Sequence, residues 1–246
     1  MKQILSIVFL VFVTATFAVT STAWFRVFGQ DSIVKSKTFA EGWVADARKS
    51  YEAGLDQTMA HSGKASAYLK SIGSDEKERF GNIGQVIAAD DYRGKRIRFS
   101  GYIKVNEADK AGLWLRIDGK EPGDVIALDN MGTRSIMGTK DWALCEIILD
   151  VPDDADALVF GALLFGKGQA WIDSLKLEIV GKDVKTTAAQ IPSTEERAKN
   201  KETIRAKIEE FKRANPQKAD EIDKNLAPGQ QKQREHKPTN LDFEGK

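Results

Sequence analysis

The residues best suited to bind a ligand are aromatic and hydrogen-bonding side chains on two consecutive β-type segments. Trp114 and Arg116 are two positions apart among apolar residues, so both side chains leave the same face of a strand. An aromatic face beside polar groups suits a sugar ring, whose C–H groups stack while its hydroxyls form hydrogen bonds. We therefore predict that a carbohydrate or another polar ligand of the cell envelope binds at Tyr102, Trp114 and Arg116, with the loop residues Asn130, Arg134 and Trp142.

A structural role for these residues is the competing interpretation. Trp114 would then pack beneath a loop, and Arg116 would pair with the carboxylate of Asp118 or Asp129. Conspicuous aromatic residues pack in protein interiors more often than they bind ligands. The sequence leaves both interpretations open.

Few residues could perform catalysis, and the sequence places no suitable partner residue beside any of them. The single cysteine, Cys145, lies in an apolar strand pattern that favours a buried thiol, and His61 precedes a turn, where a solvated histidine is expected. A nucleophile or an acid–base group needs a positioned partner, and the spacing supplies none. We therefore predict that the chain is not an enzyme. The carboxylates that could form a glycosidase pair are typical of loops beside glycines: Asp118, Asp129, Asp141 and Asp173.

Alternating apolar and polar residues in the middle of the chain predict strands. Between Arg96 and Val105 the apolar residues occupy alternate positions, the pattern of a sheet with one buried face. Several such strands separated by turns predict an all-β fold, an antiparallel two-sheet β-sandwich of jelly-roll type with a C-terminal charged helical tail. The clearest strands are 96–105, 111–118, 143–151, 157–165 and 169–180, and the predicted core residues are Phe99, Ile103, Leu113, Leu115, Ile147, Leu149, Phe160 and Leu164.

Residues 1–25 have the layout of an export signal. Lys2 precedes an apolar run from Ile4 to Val13, and small and hydroxylated residues follow as far as Ala23. These hydroxyl groups favour cleavage, although the uncharged stretch is almost long enough to span a bilayer as an uncleaved anchor. Either alternative places the rest of the chain outside the cytoplasm, periplasmic or secreted if the segment is cleaved and membrane-anchored if it is not.

Charge and composition argue against several classes of site. The 246 residues include 37 Lys and Arg against 36 Asp and Glu, so no positive field favours a nucleic acid. One cysteine cannot form an internal disulfide, and two histidines are too few for the usual zinc sites. The expected organisation is one substantial core with appendages.

A charged tail follows Gly181. Ser193 and Glu196 have the spacing of a capping box, and a helix is predicted over residues 194–214. Because its apolar seam is only two turns long, we predict a solvated spacer helix, the alternative being a helix that binds a protein partner. Residues 230–237 are predicted to be disordered. The seam consists of Ile204, Ile208 and Phe211.

Several short motifs within residues 39–180 resemble one bacterial family. They include Gly112-Leu113-Trp114-Leu115-Arg116-Ile117-Asp118, Phe160-Gly161-Ala162-Leu163-Leu164 and Gln169-Ala170-Trp171-Ile172-Asp173. Together they resemble the galactose-binding-like superfamily, which contains many carbohydrate-binding modules and whose bacterial members occur beside peptidase domains and in chains called transcriptional regulators. The resemblance implies a β-sandwich over residues 36–182 and a tail over 183–246. It does not imply one ligand, because this fold hosts sugar-binding, peptide-binding, lipid-binding and structural modules.

The resemblance also implies a structural calcium ion. In such modules an acidic residue of the opening strand and an aspartate of the closing strand hold the ion, which here implies Glu41 and Asp173 with backbone oxygens of residues 61–66. A hydrogen-bonded Asp173 without metal is the alternative.

The opening motif of the family, Asn-Leu-Asp/Gly-Phe-Glu, matches residues 240–244 better than it matches residues 39–41. We predict that this C-terminal copy marks the place where a second domain once began, the alternative being a strand supplied to this module or to a neighbouring one. With so little apolar surface in the tail, the sandwich is expected to fold without residues 183–246.

Overall fold

The structure, a computed structural model, describes residues 40–46, 50–73, 80–187, 189–220 and 234–244. The export signal predicted at residues 1–25 lies outside these ranges, and so do residues 230–233 of the stretch predicted to be disordered. Within the described ranges, no helix has the length and apolar character needed to cross a membrane.

The described residues form nine antiparallel strands followed by one long helix. Two predicted strands, 157–165 and 169–180, match strands of the structure at both ends, and the helix matches its predicted range. The elements are β1 (Val44–Asp46), β2 (Tyr51–Asp56), β3 (Ser66–Ser71), β4 (Phe80–Ala88), β5 (Arg96–Asp118), β6 (Val125–Asp129), β7 (Ile136–Asp150), β8 (Ala157–Phe165), β9 (Gln169–Val180), α1 (Thr194–Ala214) and a 3₁₀ helix (Pro216–Lys218).

Strand β5 joins the two layers of the fold. It pairs with β9 as far as Asn106 and with β7, irregularly at the end, as far as Ala111. From Lys110 onwards it pairs with β8 and then also with β6. The two strands predicted here are therefore one strand, which passes between layers through irregular pairing around Glu107, where φ is 50°. The β8–β9 turn lies against this bend. A Cβ on Gly168 would lie 2.5 Å from the Cα of Ala108, so only glycine fits there.

The strands form a front layer, β2-β3-β9-β5-β7, and a back layer, β1-β4-β8-β5-β6. Alternate residues of each strand point between the layers and form the core. The two-sheet sandwich predicted from the sequence is thereby confirmed. All eight predicted core residues are at most 3% exposed: Phe99, Ile103, Leu113, Leu115, Ile147, Leu149, Phe160 and Leu164.

Helix α1 lies on the loop between β5 and β6. It begins with the predicted capping box at Ser193, and Ile204 and Ile208 of its seam are buried. Arg197 donates to both carboxylate oxygens of Asp124, at 2.7 and 3.0 Å. The prediction of a solvated spacer was wrong because a short apolar seam and a two-bond ion pair act together to hold the helix against this loop.

The C-terminal segment, residues 234–244, packs on the sandwich. Phe243 is 2% exposed, and its ring centre lies 5.1 Å from that of Trp43. Trp43 also donates its indole N–H to the carbonyl oxygen of Asn240 at 3.0 Å. The segment therefore belongs to this module and is not merely the remnant of another domain, because its phenylalanine is part of the core.

Further bonds attach the C-terminal segment to both layers. The N–H of Leu175 in β9 donates to the carbonyl oxygen of Leu241 at 3.0 Å, and the N–H of Ala88 in β4 donates to that of Glu235 at 2.9 Å. Leu241 packs partly buried against the core. The expectation that residues 183–246 are dispensable rested on a tail with little apolar surface, and these contacts contradict that premise.

Candidate functional site

Trp114 and Arg116, two of the six predicted ligand-binding residues, are buried, with 2% and 4% of their surface exposed. Arg116 Nη2 donates to Asp118 Oδ2 at 2.7 Å, and Arg116 Nε lies 2.7 Å from the other oxygen without the angle of a hydrogen bond. Burial raises the pKa of Asp118, and the charge of Arg116 opposes this shift. The structural interpretation therefore holds for Trp114 and Arg116. The prediction of a ligand site failed at these two residues because strand alternation does not tell whether an outward face meets solvent.

Arg134 and Asn130 also have structural partners. Arg134 Nη2 donates to Asp129 Oδ2 at 2.6 Å, and its Nη1 donates to the carbonyl oxygen of Glu146 at 2.8 Å. The same oxygen of Asp129 accepts the hydroxyl of Thr187 at 2.6 Å. Asn130 accepts the N–H group two residues further on at 3.1 Å, which closes its own turn. These residues fix a loop and the linker before α1 at the edge of the sandwich.

Tyr102 and Trp142, the other two predicted residues, come together on the outer face of the front layer. The ring of His61 stacks on Tyr102, with 3.6 Å between ring centres and 13° between planes, and meets Trp142 edge-on at 5.6 Å. Tyr102 and Trp142 are half-buried and His61 is exposed. We call these three residues the aromatic cluster. His61 is an exposed loop residue, as expected, and its ring also lies against Tyr102 of β5.

Tyr68 and Trp171 extend this face across β3 and β9. In the strand pairing, Tyr68 lies opposite Trp171, and Trp171 lies opposite Lys104 of β5. Because Lys104 is two positions from Tyr102 on the same strand, all these side chains leave the same face of the layer. Trp171 donates its indole N–H to Asp56 Oδ2 at 2.8 Å. Neither Tyr68 nor Trp171 was predicted as a site residue from the sequence, although their strands show the same alternation that indicated Tyr102.

A cleft of about 530 Å³ opens beside Tyr68. Tyr68 donates its hydroxyl to Glu52 Oε1, and burial together with this bond raises the pKa of Tyr68 to about 12. Burial raises the pKa of Asp56, but hydrogen bonds from Thr58 and Trp171 outweigh it, so that the pKa is lowered and the carboxylate is ionised at neutral pH. The residues lining the cleft are Glu52, Leu55, Asp56, Gln57, Tyr68, Lys70 and Gln169.

Asp173, the predicted calcium ligand on β9, is fully buried and fixes the turn that carries His61. Its Oδ2 accepts the backbone N–H groups of His61 and Ser62 at 2.7 and 2.9 Å. The hydroxyl of Ser174 lies 3.1 Å from His61 Nδ1 and 2.7 Å from the hydroxyl of Ser62. The turn is therefore held to the strand by backbone and side-chain bonds.

The acidic side chain that shares this turn with Asp173 is Glu244, whereas the predicted Glu41 is exposed. Glu244 Oε1 accepts the N–H groups of Lys64 and Ala65, the second at 3.1 Å. Each of the two carboxylates thus accepts hydrogen bonds from backbone N–H groups of the turn. Across the described ranges, no group of three or more His, Cys, Asp or Glu side chains is arranged to hold a metal ion.

The residues considered for catalysis are also engaged elsewhere. Cys145 is 3% exposed, as expected for a structural thiol, and burial raises its pKa to about 12. Lys104 donates to Asp141 at 2.9 Å, which lowers the pKa of that carboxyl. The other three carboxylates are bound as described above: Asp118 by Arg116, Asp129 by Arg134 and Thr187, and Asp173 by backbone N–H groups.

Comparison with known proteins finds no family model that matches the sequence. A curated relative, an uncharacterised HTH-type transcriptional regulator (YbfP) of Bacillus subtilis, is 39% identical over 155 residues. The match covers 62% of this chain and 52% of the relative, so the chain spans about half the length of the curated relative it matches.

Solved structures similar to this chain include carbohydrate-binding modules. The xylan-binding CBM22-1 domain of Xyn10C from Paenibacillus barcinonensis is 16% identical, with 58% of this chain and 88% of that domain covered and a TM-score of 0.42. A second carbohydrate-binding module, of family 16, is 15% identical, with 56% and 91% covered and a TM-score of 0.41. The curated relative is one of the kinds of protein that the resemblance implied, a bacterial protein called a transcriptional regulator.

Proposed function

We propose that the chain is a non-catalytic module that binds carbohydrate across the outer face of the front layer. The observation that supports the proposal is the set of aromatic side chains on this face, which are half-buried except for the exposed His61. The set consists of Tyr68 on β3, Trp171 on β9 and the aromatic cluster beside them. Aromatic rings at the surface of a sheet supply the apolar platforms on which the C–H faces of sugars stack.

The polar groups around these rings suit a neutral sugar. Glu52 and the ionised Asp56 offer acceptors for sugar hydroxyls, and Lys70 and Gln169 offer donors on the same cleft wall. Charges of both signs lie beside one another, and the net charge of the chain is +1, so a polyanion is not favoured. With the export signal predicted at residues 1–25, the ligand would be a glycan of the cell envelope or its surroundings.

A glycan array followed by calorimetric titration of the best ligand tests the proposal. Trp171→Ala is expected to weaken binding at least about tenfold, equal to about 1.4 kcal/mol, because it removes a platform at the centre of the face. Lys176→Ala is the control, since this exposed residue lies on the same strand and pairs with Ser100, outside the set of aromatic residues. A glycan that binds wild type and Trp171→Ala equally would place the site elsewhere, and a wild type that binds no glycan would refute the function.

The alternative predicted from the sequence, a tail presented to a protein partner, has no comparable support among the described residues. The described parts of the tail, α1 and residues 234–244, contact the sandwich instead.

A further inference from the structure

The turn at residues 61–65 connects the proposed ligand face to the C-terminal segment. Its N–H groups point at two carboxylates that are remote in sequence, with Asp173 binding the first two residues and Glu244 binding Lys64 and Ala65. Between them, Gly63 has φ 66°, and a Cβ there would lie 2.2 Å from Glu244 Oε1. The carboxylate of Glu244 therefore sits directly against the backbone of the turn.

Glu244 is held in place by the core. The preceding residue, Phe243, is buried against Trp43, and Leu241 is bonded to β9 through the N–H of Leu175. These anchors bring the Glu244 carboxylate to the turn as part of the packed structure.

The opposite end of the turn carries His61, whose ring stacks on Tyr102 and meets Trp142. Bonds from a backbone N–H to a carboxylate are stronger than those between neutral groups, so the acceptor at each end restricts the backbone conformation of the turn. Losing one of the two acceptors would let the turn move and would carry the His61 ring away from Tyr102.

We infer that Glu244 is a positioning residue for the ligand face, so that the bonds of its carboxylate to the turn control whether His61 completes the aromatic cluster. This inference rests on the proposed function for its effect on binding, but not for its effect on His61. The chain thereby links its last residues to a binding surface formed by β5, β7 and a turn far away in sequence.

The test uses Glu244→Gln in the full chain, with Glu235→Gln as the matched control. Glu235 is an exposed carboxylate of the same segment. The chain has only two histidines, His61 and His236, so their ring protons can be followed separately by NMR. In Glu244→Gln, the neutral amide oxygen accepts the N–H bonds of the turn more weakly than the carboxylate does, so the ring-current shift that Tyr102 causes in the His61 signals is expected to decrease. The His236 signals should stay in place, because the segment remains docked. Glycan affinity is expected to fall about fivefold, within the range of coupling between linked sites.

The outcomes separate this inference from the proposed function. His61 signals and affinity that are unchanged in Glu244→Gln would overturn the inference. A shift of His61 in a protein that binds no glycan would support the positioning role while refuting the function. If Glu244→Gln unfolds, Glu244→Asp keeps the charge on a shorter side chain. A folded Glu244→Asp with wild-type His61 signals and affinity would overturn the inference, whereas intermediate values would support it.

Discussion

Truncating Phe243 to alanine tests whether the C-terminal segment belongs to the fold. A buried phenylalanine removes on the order of 150–200 Å² from water, worth about 4–5 kcal/mol at about 25 cal/mol per Å². Because alanine retains part of this area, we expect Phe243→Ala to lower the free energy of unfolding by about 3–4 kcal/mol, within the usual range for such changes. With a urea dependence of about 3 kcal/mol/M, the unfolding midpoint would fall by about 1 M.

Urea denaturation followed by circular dichroism measures this loss, and Ile191→Ala serves as the control. Ile191 is 74% exposed, so its truncation should change stability by less than about 0.5 kcal/mol. Hydrogen exchange distinguishes release of the segment from global unfolding, since the N–H of Leu175 that bonds to Leu241 should exchange faster in Phe243→Ala while the amides of central β5 stay protected. A Phe243→Ala protein as stable as the Ile191→Ala control would refute the assignment of the segment to the core.

Two further predictions concern charge. Arg96 donates to both oxygens of Asp150, at 2.9 and 2.8 Å, which lowers the pKa of that carboxyl in the folded protein. The ion pair therefore stabilises the fold above the unfolded pKa of about 3.9, and this stabilisation is lost as the pH falls through the lower, folded pKa. Because the Asp150 side chain is 54% exposed, Asp150→Asn should lower the free energy of unfolding by at most about 1 kcal/mol at pH 7, as measured by thermal unfolding. A difference in stability from wild type that persists at pH 2 would contradict this account. For calcium, N–H donors already face Asp173 and Glu244, so millimolar calcium or EDTA should leave the melting temperature unchanged within about 1 °C. A rise of about 5–10 °C with calcium, as expected for binding at a hundredfold excess over Kd, would show that the turn rearranges to present oxygen ligands.

The sandwich was predictable because its strands alternate with period two. Burial of one face makes every second residue apolar, so residues such as Leu115 and Phe160 could be assigned to the core without knowing which strands are neighbours. The same reasoning divided β5 into two strands, because the irregular pairing near Glu107 interrupts the alternation without ending the strand.

The candidate site was predictable only in part. Tyr102, predicted as an outward strand residue, and Trp142, predicted as a loop residue, do lie together. Trp114 and Arg116 were predicted by the same alternation as Tyr102, and they are buried. Alternation states which residues share a face, but whether that face meets solvent depends on what packs over it. That packing involves segments far apart in the chain.

The sequence by itself therefore determined the β-sandwich class, the core residues and the range of α1, since each depends on local periodicity or on capping within a few residues. Only the tertiary structure decided that His61 stacks on Tyr102, that Glu244 rather than Glu41 shares a turn with Asp173, and that Phe243 fills the core beside Trp43. These contacts join residues that lie far apart in sequence, up to 200 positions for Trp43 and Phe243. They form only when the fold brings both partners together, so no local sequence pattern predicts them.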